Sequence, residues 1–329
     1  QLSYGGVTGI GVAAIGNPEL KWETAQMFNV GVDFDLFDYK VSGSVEYYNN
    51  KTVDLFVDYT ISLTSGFSSI QNNAGSMRNA GIDVDLNVNV VDTENFSLDV
   101  YGNFNHNKNE ILDLGQVSEF ESGTSIIREG LPLGSHYVVG WAGVNPANGE
   151  PLYLDGDGNV TNSFSDNNST ANWGSFNPEW TGGFGLRGTL GAFDFSTLFT
   201  FADEYYRFNN QSFFQENHNF AQFNLSTIMN TMWQQPGDVT EIQSYLYPRQ
   251  FTSKDIEDAS FTKWRNLTVG YTLPKKYMKG FGLFESLRIY GMVQNLKTWT
   301  NFTGFDPEDN NNIAGYELSL IHISEPTRP

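Results

Sequence analysis

Cysteine is absent from these 329 residues, and with it go disulfide staples, thiolate zinc sites and a thiol nucleophile. Basic residues are scarce, with 18 Lys and Arg against 38 Asp and Glu and a net charge of −20. No basic cluster offsets that balance, which argues against binding to duplex nucleic acid. Charged residues of both signs make up only 17%, too few for a disordered acidic tail. No run of 18 apolar residues occurs, so no membrane-crossing helix is expected. The start carries neither an initiating Met nor a signal-peptide pattern, as a fragment or mature segment would. The length admits one large domain or two ordinary ones.

Aromatic residues are plentiful: 26 Phe, 16 Tyr and 7 Trp, or 15% of the chain. They recur with period two. Ile82, Val84, Leu86, Val88 and Val90 alternate with Asp83, Asp85, Asn87 and Asn89. Phe28, Val30, Val32, Phe34 and Leu36 do the same around Asn29, Gly31, Asp33 and Asp35. Similar faces are Phe96, Leu98, Val100 and Phe104; Phe193, Phe195, Phe199 and Phe201; and Leu267, Val269, Tyr271 and Leu273. No stretch shows comparable helical periodicity, so the chain reads as all-β.

Strand length narrows the class. Sandwich strands run to about 5–6 residues, whereas a tilted membrane-crossing strand needs about 9–11. Long runs are expected at Trp22–Leu36, Tyr39–Thr60, Asn79–Val91, Phe96–Asn109, Trp180–Leu190, Phe193–Arg207, Phe261–Leu273 and Phe284–Trp299. With the shorter Gly134–Val144 and Glu150–Asp155 they make about ten antiparallel crossings. Tight connections fall at Phe37-Asp38, Asp92–Asn95, Asn145–Gly149 and Gly191-Ala192, with a medium one at Pro274–Leu283. Long ones fall at Ile61–Arg78, Glu110–Leu133, Gly156–Glu179 and Phe208–Ser260. Short periplasmic turns and long extracellular loops describe part of an outer-membrane barrel, with lipid on the apolar face and a wet lumen on the other. Trp22, Trp180, Trp264 and Trp299 near strand ends suit an aromatic girdle. If every short turn is periplasmic, an even number of crossings must lie between Asn109 and Trp180, and the weak Glu150–Asp155 run is needed to supply the second.

Several phrases in order along the chain are similar to SusC/RagA-type TonB-dependent outer-membrane transporters. They are Gly16–Glu23 (GNPELKWE), Gly43–Tyr48 (GSVEYY), Gly75–Gly81 (GSMRNAG), Gly130–Gly134 (GLPLG), Ala142–Asn145 (AGVN) and Asn177–Gly183 (NPEWTGG). Trp264–Pro274 (WRNLTVGYTLP), Gln294-Asn295-Leu296 and Gly304–Pro307 (GFDP) complete the set. The resemblance implies a barrel of about 22 strands closed by an N-terminal plug. It implies import of oligosaccharides or peptides, driven through the TonB–ExbB–ExbD complex, under a SusD-like surface lipoprotein that forms a lid. Residues 1–317 are then expected to be the C-terminal portion of the barrel, with the plug and the TonB box lying elsewhere. Leu318–Pro329 (LSLIHISEPTRP) departs from the family's aromatic-ended closing strand and reads as a non-native tail.

Candidate chemistry is sparse. The four His residues, His106, His136, His218 and His322, form no metal spacing and no nucleophile elbow. His106, flanked by Asn105 and Asn107, is the one that a membrane-barrel hydrolase could use, but it reads as a rim residue and no enzyme is expected. Asp155, Asp157 and Asn159 in a DGDGN run resemble the start of a calcium loop. Val160 and Asp166 stand where such a loop wants Gly and Glu, and a Gly-rich turn is the simpler reading. The acids Asp33, Asp35, Asp83, Asp85 and Asp99 are expected to wet the lumen. The long segment Phe208–Ser260 carries Phe213, Phe214, Trp233, Tyr245, Tyr247 and Arg249, a set suited to stacking on a ligand or meeting the lid. The rivals are a secreted β-rich carbohydrate-binding module and a passive porin. Strand length speaks against the first, and the resemblance speaks against both.

Overall fold

The computed structural model describes residues 2–4, 7–9, 16–67, 69–222, 224–278 and 286–308. Eight long strands form one antiparallel sheet: β1 (Thr24–Leu36), β2 (Val41–Thr60), β3 (Ser69–Asp92), β4 (Phe96–Asp113), β5 (Trp180–Leu190), β6 (Phe193–Asp203), β7 (Phe261–Thr272) and β8 (Arg288–Thr300). Each pairs with its neighbours in sequence, so the sheet is a meander. Their lengths run from 11 to 24 residues, above the sandwich norm.

The period-two pattern becomes two continuous faces through the pairing register. On one face Val32, Val45, Val84, Phe104, Gly182, Phe201, Thr262 and Trp299 stand side by side across all eight strands. One residue along, Asp33, Ser44, Asp85, Asn103, Gly183, Thr200, Lys263 and Thr298 line up on the other. Val30, Val32, Val45, Ile82, Leu86, Phe104 and Phe184 of the apolar face are exposed. No second layer covers them among the described residues. The one buried apolar cluster there, Val57, Ile111, Leu114 and Ile127, sits at the long-loop end. A sandwich would bury the apolar face between sheets; this fold leaves it bare, as the expected barrel wall requires.

Short connections gather at one end of the sheet: 37–40, 93–95, 191–192 and 273–287. Phe37, Asp38 and Tyr39 all take positive φ, between 57° and 63°, to close the first of them. Segments 61–68, 114–179 and 204–260 gather at the other end. Aromatics mark both levels of the apolar face. Phe193 packs on Tyr271 near the short turns, while Trp180, Trp264 and Trp299 cluster with Phe104 and Phe199 near the long loops. Trp22, just before β1, is at the long-loop end too.

Four expectations change. Gly134–Val144 and Glu150–Asp155 are not crossings: Trp141–Val144 and Pro151–Leu154 belong to a separate three-stranded sheet inside 114–179. The eight-stranded sheet therefore replaces the expected ten, and zero crossings between β4 and β5 satisfy the even-number rule. The loop 61–78 shrinks to 61–68, because Ser69–Ser76 continues β3 against the end of β2. Likewise β4 runs on to Asp113, past the expected Asn109. Phe193–Arg207 divides, with Tyr206–Phe208 pairing instead with Ile256–Asp258. Phe284, His322 and the tail Leu318–Pro329 lie outside the described residues.

The faces make a direct prediction. Val84→Arg or Leu86→Arg should cost the membrane-inserted barrel about 2–4 kcal/mol near mid-depth, measured by urea unfolding in bilayers. Asp85→Arg, on the opposite face, should leave that stability unchanged. Equal losses on both faces would contradict the assignment.

Candidate functional site: the polar wall and the long-loop end

The polar face is a hydrogen-bonded wall rather than a row of free charges. Asn105 Nδ2 donates to Asp83 and to the Tyr48 hydroxyl, which itself donates to Asn107 Oδ1 at 3.0 Å. Asn107 and Asn109 both donate to Asn79 Oδ1. Arg187 reaches Asp99 and Asn87, and Asn89 donates to Asp99 at 2.9 Å. Arg288 pairs with Asp194. Gly81 leaves room for the Tyr48 ring, since a Cβ there would overlap the His106 carbonyl and that ring. The acids Asp83, Asp85 and Asp99 thus stand on this face, as do Asp33 and Asp35 on β1. The sequence reading missed the partners of Asp99 and Asp194, although Arg187 and Arg288 occupy the polar phase of their strands.

The long loops fold on one another. Asn209 caps the short helix Asn210–Gln215 by accepting from the Ser212 N–H. Phe213 is only 6% exposed and stacks on Phe251 at 3.6 Å. The Arg249 guanidinium lies 4.9 Å from the centre of the Phe213 ring and bonds Asp255 at 2.7 Å. Burial, outweighing Arg249, holds the Asp255 carboxyl above its ordinary value. Trp233 donates to the Pro146 carbonyl at 3.1 Å, and the Tyr247 hydroxyl to Glu150 at 3.3 Å. These last bonds join 204–260 to 114–179. Of the six residues singled out in the sequence, Phe213 and Arg249 serve internal packing, and Trp233 and Tyr247 bridge the two loops. Tyr245 is 64% exposed beside exposed Leu246, while Phe214 is 39% exposed and packs edge-on against Phe213 and Phe220.

Asp155, Asp157 and Asn159 form a hairpin turn between Pro151–Leu154 and Val160–Thr161. The Asp155 carboxylate accepts from the N–H groups of Asn159 at 2.8 Å and Asp157 at 3.0 Å. Those bonds hold its carboxyl below the usual range. Among the described residues no three His, Asp or Glu side chains converge as a metal site. His106 stacks on Trp180 at 3.8 Å, with Nε2 4.0 Å from a Glu179 oxygen. It is a rim residue.

A third cluster, unforeseen in the sequence, lies where β7 meets the segment after β8. Lys263 Nζ sits 3.0 Å from both Asp306 oxygens and 2.5 Å from Glu308. Arg265 bonds Glu308 and donates to Thr200 Oγ1 at 2.6 Å. Burial raises the two carboxyls, but the Glu308 N–H and Lys263 on Asp306, and Arg265 and Lys263 on Glu308, prevail and leave both below their ordinary values. The only hint was the GFDP phrase, which signalled family and not contact.

With fold and wall described, comparison with known proteins places the chain. The family described as "TonB dependent receptor-like, beta-barrel" matches residues 1–296, so the chain belongs to the TonB-dependent receptor β-barrel family. TonB-dependent receptor P3 of Formosa agariphila is 28% identical over 351 residues, covering 97% of this chain and 34% of that protein. TonB-dependent receptor SusC of Bacteroides thetaiotaomicron is 26% identical, covering 89% and 30%. The solved RagAB peptide transporter superposes with a TM-score of 0.84 at 29% identity, over 93% of this chain and 34% of the matched one. The chain spans about a third of the length of these relatives. They are receptors and transporters, not enzymes.

His136 supplies a pH prediction for the long-loop end. Its Nε2–H donates to the Tyr206 carbonyl at 2.9 Å, while Nδ1 is buried without a partner. Burial lowers its pKa from the ordinary 6.5, only partly offset by that bond. A lowered folded value means the neutral ring contributes stability above pH 6.5 that is lost as pH falls below it. Protection factors at 125–136 and 206–208, with the intrinsic slowing of amide exchange at lower pH divided out, should fall on going from about pH 7.5 to 5.5. A flat response would contradict this role for His136.

Proposed function

We propose that this chain is part of the wall of an outer-membrane active transporter that imports nutrients, oligosaccharides or peptides, with TonB-derived energy. In this reading residues 1–317 are barrel, the apolar face meets outer-membrane lipid and the polar face lines the lumen. The short turns are periplasmic. The long loops are extracellular and stand beneath a SusD-like lipoprotein, with Tyr245 and Phe214 as the open aromatic contacts. The observation that carries the reading is the pair of uninterrupted faces across eight strands, joined to family membership. Similarity to SusC and to a RagAB peptide transporter supports nutrient import over a passive pore.

Two measurements test it. A Tyr245→Cys variant, in a chain with no other Cys, should react with a membrane-impermeant maleimide on intact cells. Labelling only after permeabilisation would invert the topology. Uptake of a radiolabelled oligosaccharide or peptide mixture by cells carrying the transporter should collapse when TonB is deleted. Uptake that persists without TonB would favour the porin.

A further inference from the structure

The wall carries Asp, Asn and scattered Arg side chains, and its long-loop rim brings Arg207, Lys263 and Arg265 together. Their occupants come from the chain itself, and the two carboxylates are held differently. Asp306 meets the Lys263 ammonium with both oxygens, and the Lys263 side chain is only 6% exposed. Glu308 bridges Lys263 and Arg265 with 31% of its side chain accessible, against 47% for Asp306. Glu308 and Arg265 both line a cavity of about 520 Å³, together with Thr181, Tyr205 and Asn177.

The segment that carries Glu308 is anchored without it. Arg207 donates to the carbonyl oxygens of Asp306 and Pro307, at 3.3 and 2.8 Å. Glu257 accepts from the Thr303 N–H at 2.7 Å and from its hydroxyl. The Glu308 side chain can therefore swing away while the backbone, Asp306 and the two cations keep their places. What it would vacate is the Arg265 guanidinium, which faces a cavity of mixed polar and aromatic wall, and one contact of the neighbouring Lys263 ammonium.

We propose that Lys263 and Arg265 form a carboxylate-binding subsite, filled here by Glu308, which a carboxylate on the imported substrate displaces. The proposal rests on the import reading and sharpens it: the substrate carries a carboxylate, from either a peptide C-terminus or an acidic sugar. Paired charge-assisted bonds to Arg suit a planar two-oxygen acceptor, and Asn177, Thr181 and Tyr205 on the cavity wall suit the backbone or hydroxyls behind it.

The test is calorimetric titration of the purified full-length transporter containing this chain. One arm compares a tetrapeptide having a free C-terminus with its C-terminal amide. The other compares trigalacturonate with neutral galactotriose. The acid of one arm should bind more tightly than its neutral partner, and the arm that does so identifies the source. Glu308→Gln removes the internal competitor and should tighten the acid by about tenfold, the scale of one charge-assisted pair, with the neutral partner unchanged. Arg265→Gln should erase the preference for the acid, with folding verified by the heat-dependent gel shift of intact barrels. Acid binding that is unaltered or weakened in Glu308→Gln would overturn the subsite, as would equal binding of acid and neutral probes in both arms. TonB-dependent uptake is read separately: its absence with the acid preference intact would count against the import reading and leave the subsite standing.

Discussion

Inside hydrocarbon every backbone N–H and C=O must find a partner within the protein, because each orphan costs several kcal/mol. The eight-stranded meander meets that constraint rung by rung, and most of what is particular about the chain depends on it. Long strands are required because the pairing must be continuous through the membrane. A fixed register is required because a slip of one residue would turn every polar side chain toward lipid. The Val32 row and the Asp33 row differ by that single step, yet each keeps its character from β1 to β8. Among the described residues β1 and β8 each pair on one side only, so the sheet is not closed.

Where the membrane ends, the constraint relaxes and ordinary globular packing takes over. The buried apolar cluster of Val57, Ile111, Leu114 and Ile127 lies at the level of the long loops. The Phe213–Arg249–Asp255 stack and the bonds from Trp233 and Tyr247 across to 114–179 are the polar and aromatic counterparts of that core. Function follows the same division. The sheet provides an apolar face and a polar wall, while the loop end holds exposed aromatics and the Lys263–Arg265 cluster.

The legibility of the sequence tracks these environments. Ile82–Val90 was readable because lipid on one side and water on the other impose opposite demands on alternate residues. Ser69–Ser76, part of the same strand, was not: it rises toward the loop end, where no lipid imposes alternation. Gly134–Val144 and Glu150–Asp155 looked like crossings because a short strand in a small sheet carries the same local pattern. The loop aromatics were visible as a set, but only tertiary partners such as Phe251 and Asp255 decide which of them are buried. The Lys263–Asp306 and Arg265–Glu308 contacts join residues 43 apart, and no local period can announce such a pairing.

The central claim is that one sheet presents a lipid face and a lumen face with strict alternation. Single-cysteine scanning of residues 80–90 in β3 tests it most directly, since these 329 residues hold no competing thiol and any Cys elsewhere in the transporter can first be replaced by Ser. In the transporter reconstituted in bilayers, Cys at 83, 85, 87 and 89 should react with a water-soluble maleimide. Cys at 82, 84, 86, 88 and 90 should instead carry spin labels relaxed by lipid-dissolved oxygen. A reactivity profile without that period of two, or one with water on the even positions, would contradict the account.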